Sequence, residues 1–194
     1  MARNVSIATA SDRPKETLTA TCPVCSADAV FMANHPEATL HRCLACSHAF
    51  STLAPSVKTD YDDTYYSAEH KQWFEHPNYR LFAKIEAALS PSARSVLDVG
   101  CGRGDLLKYL KVKRPHLQLT GIDLSEQSSC AEYDFFRTDA NDFRTEQRFD
   151  AIVAMAVIEH VESPKAFIAR MIELLNPGGQ VFVLTLNEQS ILYG

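Results

Sequence analysis

The sequence predicts an α/β protein with a doubly wound parallel sheet, preceded by a small metal-binding domain. Three observations carry this prediction. Short apolar runs alternate with helical patterns from residue 78 onward, as in successive βαβ units. A turn with glycine at alternate positions, residues 100–104, follows the first of these runs. Upstream, two Cys-x-x-Cys pairs are separated by seventeen residues, the spacing of a four-cysteine zinc site.

Composition excludes several classes of protein. The 194 residues, 46% of them hydrophobic, suffice for one α/β domain and a small additional one. A net charge of −5 gives no reason to expect nucleic-acid binding. No apolar run approaches the roughly 18 residues of a membrane span, and the polar start lacks a signal-peptide core. We therefore expect a cytoplasmic protein that binds neither nucleic acid nor membrane.

Residues 1–20 are polar without periodicity and are predicted to form a flexible N-terminus. Residues 21–50 are predicted to form a zinc ribbon. Two cysteines in one turn can direct both thiolates at one ion, and two such turns complete a tetrahedral shell with no open position. The sequence therefore predicts a structural Zn²⁺. Its predicted ligands are Cys22, Cys25, Cys43 and Cys46.

Two alternatives remain open for this segment. His35, His41 and His48 lie near the cysteines in sequence, and one of them could replace a ligand. The cysteines could also be reduced free thiols or a redox pair. After the ribbon, residues 51–76 form a connector rich in aromatic residues, which we expect to pack over the cleft of the next domain because aromatic surface is costly to leave in water.

The core domain is predicted over residues 77–194. Helices are read from apolar residues at helical spacing, and strands from short apolar runs bounded by turn residues. Ser163-Pro164 is an N-cap followed by proline at the first helical position. The predicted elements, in order, are helix 78–89, strand 96–99, helix 105–113, strand 117–122, a short helical stretch 127–133, strand 135–137, strand 149–157, helix 164–175 and strand 180–186.

Polar residues follow the predicted strands at their carboxyl ends. Asp98 and the glycine turn close the first strand, Asp123 follows the second, Asp139 the third, and the pair Glu159-His160 the fourth. In open α/β sheets the ligand lies outside these ends, beside the first strand. The sequence therefore predicts one site that gathers these residues.

Residues 96–104 resemble motif I of the class I S-adenosylmethionine-dependent methyltransferases, and further motifs follow in the family's order. Residues 121–123 resemble its acidic second motif, and residues 138–140 its adenine-contacting strand end. Residues 149–161 resemble its fourth strand and residues 174–186 its last motif. The resemblance implies a Rossmann-like sheet of about five strands in the order 3-2-1-4-5, without the family's usual last two strands, and a methyltransferase activity.

The resemblance also implies roles for individual residues. The glycine turn would face the methionyl part of S-adenosylmethionine, and Asp98 would orient its ammonium group. Asp123 would bind the ribose, and Asp139 the adenine amino group. The cofactor contacts implied in this way are Asp98, Gly100, Cys101, Gly102, Gly104, Asp123, Leu124, Asp139, Ala140 and Ala154.

Methyl transfer needs little catalysis beyond alignment and removal of a proton, because the sulfonium is already an activated electrophile. His160 is the candidate base, since imidazole titrates near neutrality, and Glu159 stands beside it as the second candidate catalytic residue. The alternative is that this pair packs or hydrogen-bonds locally at the end of a helix.

The combination of zinc ribbon, tyrosine-rich connector and methyltransferase core is similar to bacterial methyltransferases of sugars and cell-surface glycans. This likeness implies a small, hydroxylated or sugar-like acceptor. Without the last two strands, the fifth strand would be an unpaired edge. The sequence could thus be a truncated domain or a fragment, or a protomer whose edge strand is covered by a second copy of the chain or another partner.

Two other functions compete with this interpretation. The chain could be a catalytically incompetent methyltransferase-like module that binds cofactor or a partner. A nicotinamide-dependent oxidoreductase is disfavoured, because the glycines are spaced G-x-G-x-G and the dinucleotide fingerprint is G-x-G-x-x-G.

Overall fold

The computed structural model describes residues 18–53, 76–125 and 131–185. The chain divides into two compact units, with the division after residue 58. The predicted flexible terminus and aromatic connector lie almost entirely outside the described residues, as does most of the helical stretch predicted over 127–133. The longest described helix has eleven residues, and none of the described helices could cross a bilayer.

The first unit contains a four-stranded antiparallel sheet in the order β1-β2-β3-β4. The hairpin expected between the cysteine pairs is β2–β3, in which Phe31 faces His41. The sheet is larger than this hairpin because one strand before the first cysteine pair and one after the second extend it on both sides. The strands are β1 Leu18–Thr21, β2 Asp28–His35, β3 Ala38–Cys43 and β4 Ala49–Leu53.

The second unit confirms the predicted doubly wound sheet. Its five parallel strands lie in the order β7-β6-β5-β8-β9, which is the expected 3-2-1-4-5. Among the described residues, no strand pairs with the outer edge of β9. The elements are α1 Tyr79–Ala88, β5 Ser95–Val99, α2 Asp105–Lys113, β6 Gln118–Asp123, β7 Asp134–Arg137, β8 Phe149–Met155, a 3₁₀ turn Ile158–His160, α3 Pro164–Leu174 and β9 Leu175–Leu184.

Alternate residues of the central strands face two different cores. On one face, Val96 and Val153 pack with apolar side chains of α1 and α2. On the other face, Leu97 and Ile152 pack against α3. This alternation buries both faces of the sheet, which explains why most residues of the central strands are apolar.

The strand boundaries differ most from the predicted ones in β8 and β9. β8 ends at Met155 rather than at residue 157, because Ala156 adopts a left-handed conformation with φ of 54° and turns the chain into the 3₁₀ segment. β9 begins at Leu175 rather than at residue 180, because Leu175 already pairs with Phe149. The pairing register between β8 and β9 shifts after Leu175, and this shift accommodates residues 176–179. The sequence predicts these four residues to separate the helix from the strand.

The helices α1 and α3 each begin directly after a residue whose side chain caps the helix. The Asn78 side chain accepts a hydrogen bond from the backbone of Leu81, and Ser163 accepts one from Ala166, with Pro164 in the first turn. Such caps satisfy backbone donors that the helix itself leaves unpaired. Residues at the amino ends of both α1 and α3 line one cavity at the carboxyl ends of the strands.

At the amino ends of the strands, the carboxylate of Asp150 connects three neighbouring strands. Asp150 accepts hydrogen bonds from the backbone of Arg94 at 2.7 Å and Ser95 at 3.1 Å, and from the amide of Asn176 at 2.8 Å. Partial burial opposes its ionisation, yet these hydrogen bonds lower the pKa of Asp150. The starts of β5, β8 and β9 are thereby joined at the end of the sheet away from the cavity.

Candidate active site and metal centre

A cavity of about 940 Å³ opens at the carboxyl ends of the parallel strands in the second unit. This volume is at the upper end of the range for small-molecule sites, so the cavity has room for more than one ligand. Eight of the ten residues predicted to contact a cofactor line it. They are Asp98, Gly100, Cys101, Gly102, Asp123, Leu124, Asp139 and Ala140.

The remaining two residues lie behind the cavity wall. Ala154 is fully buried within β8. Gly104 caps the start of α2 with φ of 70°, and a Cβ placed there would lie 2.1 Å from the hydroxyl oxygen of Tyr133.

Two left-handed glycines shape the turn that borders the cavity, Gly100 with φ of 69° and Gly102 with φ of 51°. Glycine adopts this conformation without steric cost. The backbone N–H groups of Gly100 and Cys101 both donate to the carbonyl of Ile122, at 2.8 and 3.1 Å. A Cβ on Gly100 would lie 2.4 Å from Val157, so the turn is held closely between β6 and the segment after β8.

Asp123 ties the same turn to the end of β6. It is buried, and its Oδ2 accepts a hydrogen bond from the backbone of Gly102 at 2.8 Å. Its Oδ1 accepts from the backbone and the hydroxyl of Ser125, at 2.9 and 2.8 Å. Asp123 therefore joins the glycine turn to the end of β6, and it lines the cavity.

Asp98 is the most unusual group of the site. It is 1% exposed, and neither carboxylate oxygen has a hydrogen-bond partner in the described part of the chain. Burial, reinforced by the negative charge of Asp123, raises the pKa of Asp98 to about 8. A buried polar group without a partner costs free energy, and such groups concentrate at functional sites.

Asp139 follows the end of β7 and lines the cavity. Its Oδ1 accepts from the backbone of Asn141 at 2.6 Å and of Asp142 at 3.0 Å. These bonds orient the side chain from within its own turn, as is common for aspartate. Among the described residues Oδ2 receives no hydrogen bond, so one oxygen is left for a ligand.

The structure separates the two candidate catalytic residues. His160, at the end of the 3₁₀ turn, lines the cavity. Glu159 is not among the lining residues, and its Oε2 instead accepts a hydrogen bond from the hydroxyl of Thr185 at 3.0 Å. His160 therefore contributes to the cavity lining, whereas Glu159 links the turn to the end of β9.

An apolar wall of the cavity was not anticipated from the sequence. Leu81 and Phe82 of α1, Met155 at the end of β8, Phe167 of α3 and Leu184 of β9 all line it. Helical spacing marks Leu81 and Phe82 as inward-facing. It does not show that their helix packs at the carboxyl edge of the sheet, because that placement depends on tertiary contacts.

The four cysteine sulfurs of the first unit form one cluster, with all Sγ atoms within 4.8 Å of one another. The Cys22–Cys46, Cys25–Cys43 and Cys25–Cys46 separations are 3.7, 3.4 and 3.5 Å. Four sulfurs at about 2.3 Å from a tetrahedral zinc would be about 3.8 Å apart, whereas a disulfide needs about 2.05 Å. The geometry fits a metal centre.

Backbone hydrogen bonds favour the thiolate form of Cys43, whereas at Cys46 the hydrogen bond from the His48 backbone is outweighed by burial and the neighbouring sulfurs, which raise the pKa of Cys46 to about 12. The N–H groups of Cys46 and Ala45 donate to the Cys43 sulfur, each at 3.4 Å, and with that of Cys46 as the largest cause they lower the pKa of Cys43 to about 6. His41 is buried and hydrogen-bonds Thr52 at 3.0 Å. The cluster found in the described residues contains no histidine, which favours four cysteine ligands.

Comparison with known proteins agrees with this architecture. The family model described as "Methyltransferase domain" matches residues 71–192. The ubiquinone biosynthesis O-methyltransferase of Bordetella bronchiseptica is 37% identical over 162 residues, covering 72% of this chain and 66% of that protein. The enzyme of the same name from Dechloromonas aromatica is 33% identical over 121 residues, covering 56% and 51%. The chain spans about half the length of several such relatives.

Solved structures share the fold. The plantazolicin methyltransferase BpumL in complex with SAH is 23% identical, with a TM-score of 0.50 over 66% of this chain and 60% of that one. A chain from the complex between the Haloferax volcanii Trm112 methyltransferase activator and a methyltransferase is 19% identical, with a TM-score of 0.53 over 66% and 61%. At these identities the likeness concerns the fold alone.

Proposed function

The chain belongs to the methyltransferase domain family, and from that premise we propose that it is an S-adenosylmethionine-dependent methyltransferase. One observation carries the proposal. Asp98 is buried at the cavity with two oxygens that have no partner in the described chain. The methionyl ammonium would supply the missing charge-assisted hydrogen bonds.

The other cofactor contacts follow from the same cavity. Asp123 receives the ribose hydroxyls, and the second oxygen of Asp139 accepts from the adenine amino group. Leu124, which is exposed within the cavity lining, packs against the adenine ring. The backbone of the glycine turn, at the positive end of α2, faces the methionyl carboxylate. When bound, the cofactor supplies a methyl group activated by the sulfonium.

We propose that the acceptor is a hydroxyl compound with an apolar body. The apolar wall formed by Leu81, Phe82, Met155, Phe167 and Leu184 supports an apolar body. The relatives' name, O-methyltransferase, supports transfer to oxygen. The sequence leads instead to the expectation of a sugar-like acceptor. Assays with phenols and with nucleotide sugars distinguish these two acceptor classes.

His160 acts as the base in this proposal. It lines the cavity at the end of the turn that follows β8, and an imidazole can take the hydroxyl proton near neutral pH. Glu159 contributes indirectly, because its hydrogen bond to Thr185 anchors the turn that carries His160.

Replacing His160 with glutamine is expected to lower kcat by about a hundredfold for an accepted hydroxyl substrate, the usual contribution of a general base. Methyl transfer from radiolabelled S-adenosylmethionine would be measured with catechol-type phenols and, separately, with nucleotide sugars. Replacement of the exposed His116 by glutamine is the matched control, because His116 does not line the cavity.

Full turnover by the His160 variant would contradict its role as the base. Turnover with nucleotide sugars alone would contradict the apolar acceptor. Cofactor binding without transfer to any acceptor would favour the alternative of a catalytically incompetent binding module.

We further propose that Zn²⁺ is the ion held by the four thiolates of the first unit. Thiolate ligands in a tetrahedral arrangement are typical of structural zinc. Within residues 18–53 the buried apolar side chains other than cysteine are those of Ala29 and Val30, so metal binding would supply much of the folding free energy of this unit.

A further inference from the structure

The turn that carries His160 is fastened to β9 at two points. The backbone N–H of Ala156 donates to the carbonyl of Leu184 at 2.9 Å, and the Glu159 carboxylate accepts from the hydroxyl of Thr185. These bonds hold the turn against one neighbouring strand. They do not fix how far His160 stands from the glycine turn at the end of β5.

That distance depends on Val157. Its carbonyl accepts a hydrogen bond from the backbone N–H of His160 at 2.9 Å, so the backbone of Val157 holds the start of the turn. Its Cγ2 atom lies 2.4 Å from the position that a Cβ on Gly100 would occupy. Val157 thus contacts the glycine turn with its side chain and His160 with its backbone, and all three residues line the cavity.

The contact between Val157 and Gly100 leaves little room for either turn to move. Gly100 has φ of 69° and no side chain, so another group can approach its backbone closely. The Val157 side chain branches at Cβ and has few rotamers available, and it also packs against the core that contains side chains of α3. A shift of either turn therefore costs packing contacts.

We propose that Val157 is a positioning residue for methyl transfer, a rigid contact that sets the distance between the glycine turn and His160. The inference rests on the proposed function, in which the glycine turn binds the cofactor and His160 is the base. It has two consequences. Val157 matters more for the rate of transfer than for cofactor affinity, and a ligand bound at the glycine turn steadies the turn that carries His160.

Hydrogen exchange measures the second consequence without any acceptor. Peptides that cover residues 157–161 are followed by mass spectrometry with and without saturating S-adenosylhomocysteine. In the wild type we expect the ligand to slow exchange at the His160 backbone by about tenfold, within the usual range of coupling between two sites. Val157→Ala should bind the ligand without this slowing, because the contacting methyl group is gone. Val157→Thr keeps the branched shape and should recover it.

Kinetics with an accepted hydroxyl substrate measure the first consequence. Val157→Ala should lower kcat by about tenfold and change the affinity for S-adenosylhomocysteine by no more than about twofold, because a small displacement of a reacting group suffices for such a loss of rate. Val157→Thr should recover most of the rate. Val181→Ala is the matched control, since Val181 packs against the same core but does not line the cavity, and its kcat should equal that of the wild type.

A double variant tests the contact itself. In Gly100→Ala the new Cβ overlaps the Cγ2 atom of Val157, and the left-handed backbone adds strain. Combining it with Val157→Ala removes the overlap, because the Cβ of residue 157 lies 3.8 Å from the new methyl group. The two substitutions should therefore be non-additive in kcat by about tenfold, as is usual for residues in contact.

The outcomes separate this inference from the proposed function. A folded wild-type chain that binds no S-adenosylhomocysteine would contradict the proposed function. Binding without slower exchange at His160, or slowing that persists in Val157→Ala, would overturn only the role of Val157. A wild-type kcat in Val157→Ala, an equal loss in Val181→Ala, or additive effects in the double variant would do the same. Should Val157→Ala fail to fold, exchange at His160 in the wild type decides the matter.

Discussion

Replacing Asp98 with asparagine is expected to stabilise the cofactor-free protein at pH 8 while weakening cofactor binding. Burial and the charge of Asp123 hold the pKa of Asp98 at about 8 in the folded state, against 3.8 for an ordinary aspartate. Between these values the unfolded chain releases a proton that the folded chain retains. The free energy of unfolding therefore falls as pH rises from about 4 to about 8.

An asparagine at position 98 removes this dependence, since it does not titrate. Each unit of pKa difference corresponds to about 1.4 kcal/mol, so the stabilisation at pH 8 is on the order of several kcal/mol. Urea unfolding of wild type and variant at pH 5 and pH 8 measures it. Asp134→Asn, on the exposed start of β7, is the control. Equal changes with pH in wild type and Asp98→Asn would refute the assignment.

Because the pKa of Asp98 is raised, we also expect cofactor binding to release a proton. Near pH 7 Asp98 is protonated in the free protein, because its pKa is about 8. A bound ammonium group favours the ionised form, so binding releases up to one proton. Calorimetry in two buffers of different ionisation enthalpy detects this proton in the wild type, and Asp98→Asn should not release it.

Gly104→Ala is expected to destabilise the second unit by roughly 2–4 kcal/mol, combining backbone strain with overpacking. The backbone of Gly104 has φ of 70°, and an added Cβ would lie 2.1 Å from the Tyr133 hydroxyl oxygen and 2.4 Å from its ring. The Tyr133 side chain is buried, so it has little room to move aside. Displacing it would also shift the start of α2 and the glycine turn.

Gly178→Ala is the matched control for this substitution. Gly178 has φ of 78°, but no atom lies within 4 Å of an added Cβ. The Gly178→Ala variant should therefore lose only about 1 kcal/mol of stability, from backbone strain. Denaturant unfolding of both variants separates strain from steric overlap. Equal losses in the two would show that Tyr133 does not confine Gly104.

Much of the fold was predictable because its determinants are local. The helix Asp105–Lys113 was predicted with the bounds that the structure gives, and Ser163-Pro164 marks the start of α3. Asp98, Asp123 and Asp139 were predicted to meet because the carboxyl ends of parallel strands lie at one edge. All three line the cavity.

Other features depend on contacts between distant residues. The sequence around Asp98 does not show that its carboxylate lacks a hydrogen-bond partner in the described chain. That property depends on the residues that surround the end of β5 in the folded protein. Glu159 turns to Thr185 and His160 to the cavity, although the two are adjacent. The early start of β9 follows from the pairing of Leu175 with Phe149. Each of these features is decided by tertiary packing.

Calorimetric titration with S-adenosylhomocysteine measures whether the cavity binds the cofactor. We expect saturable binding of one molecule per chain, loss of that binding in Asp123→Ala, and no binding of NADH. A folded wild-type chain that produces no binding heat, or an Asp123→Ala variant that binds as tightly as the wild type, would contradict this expectation.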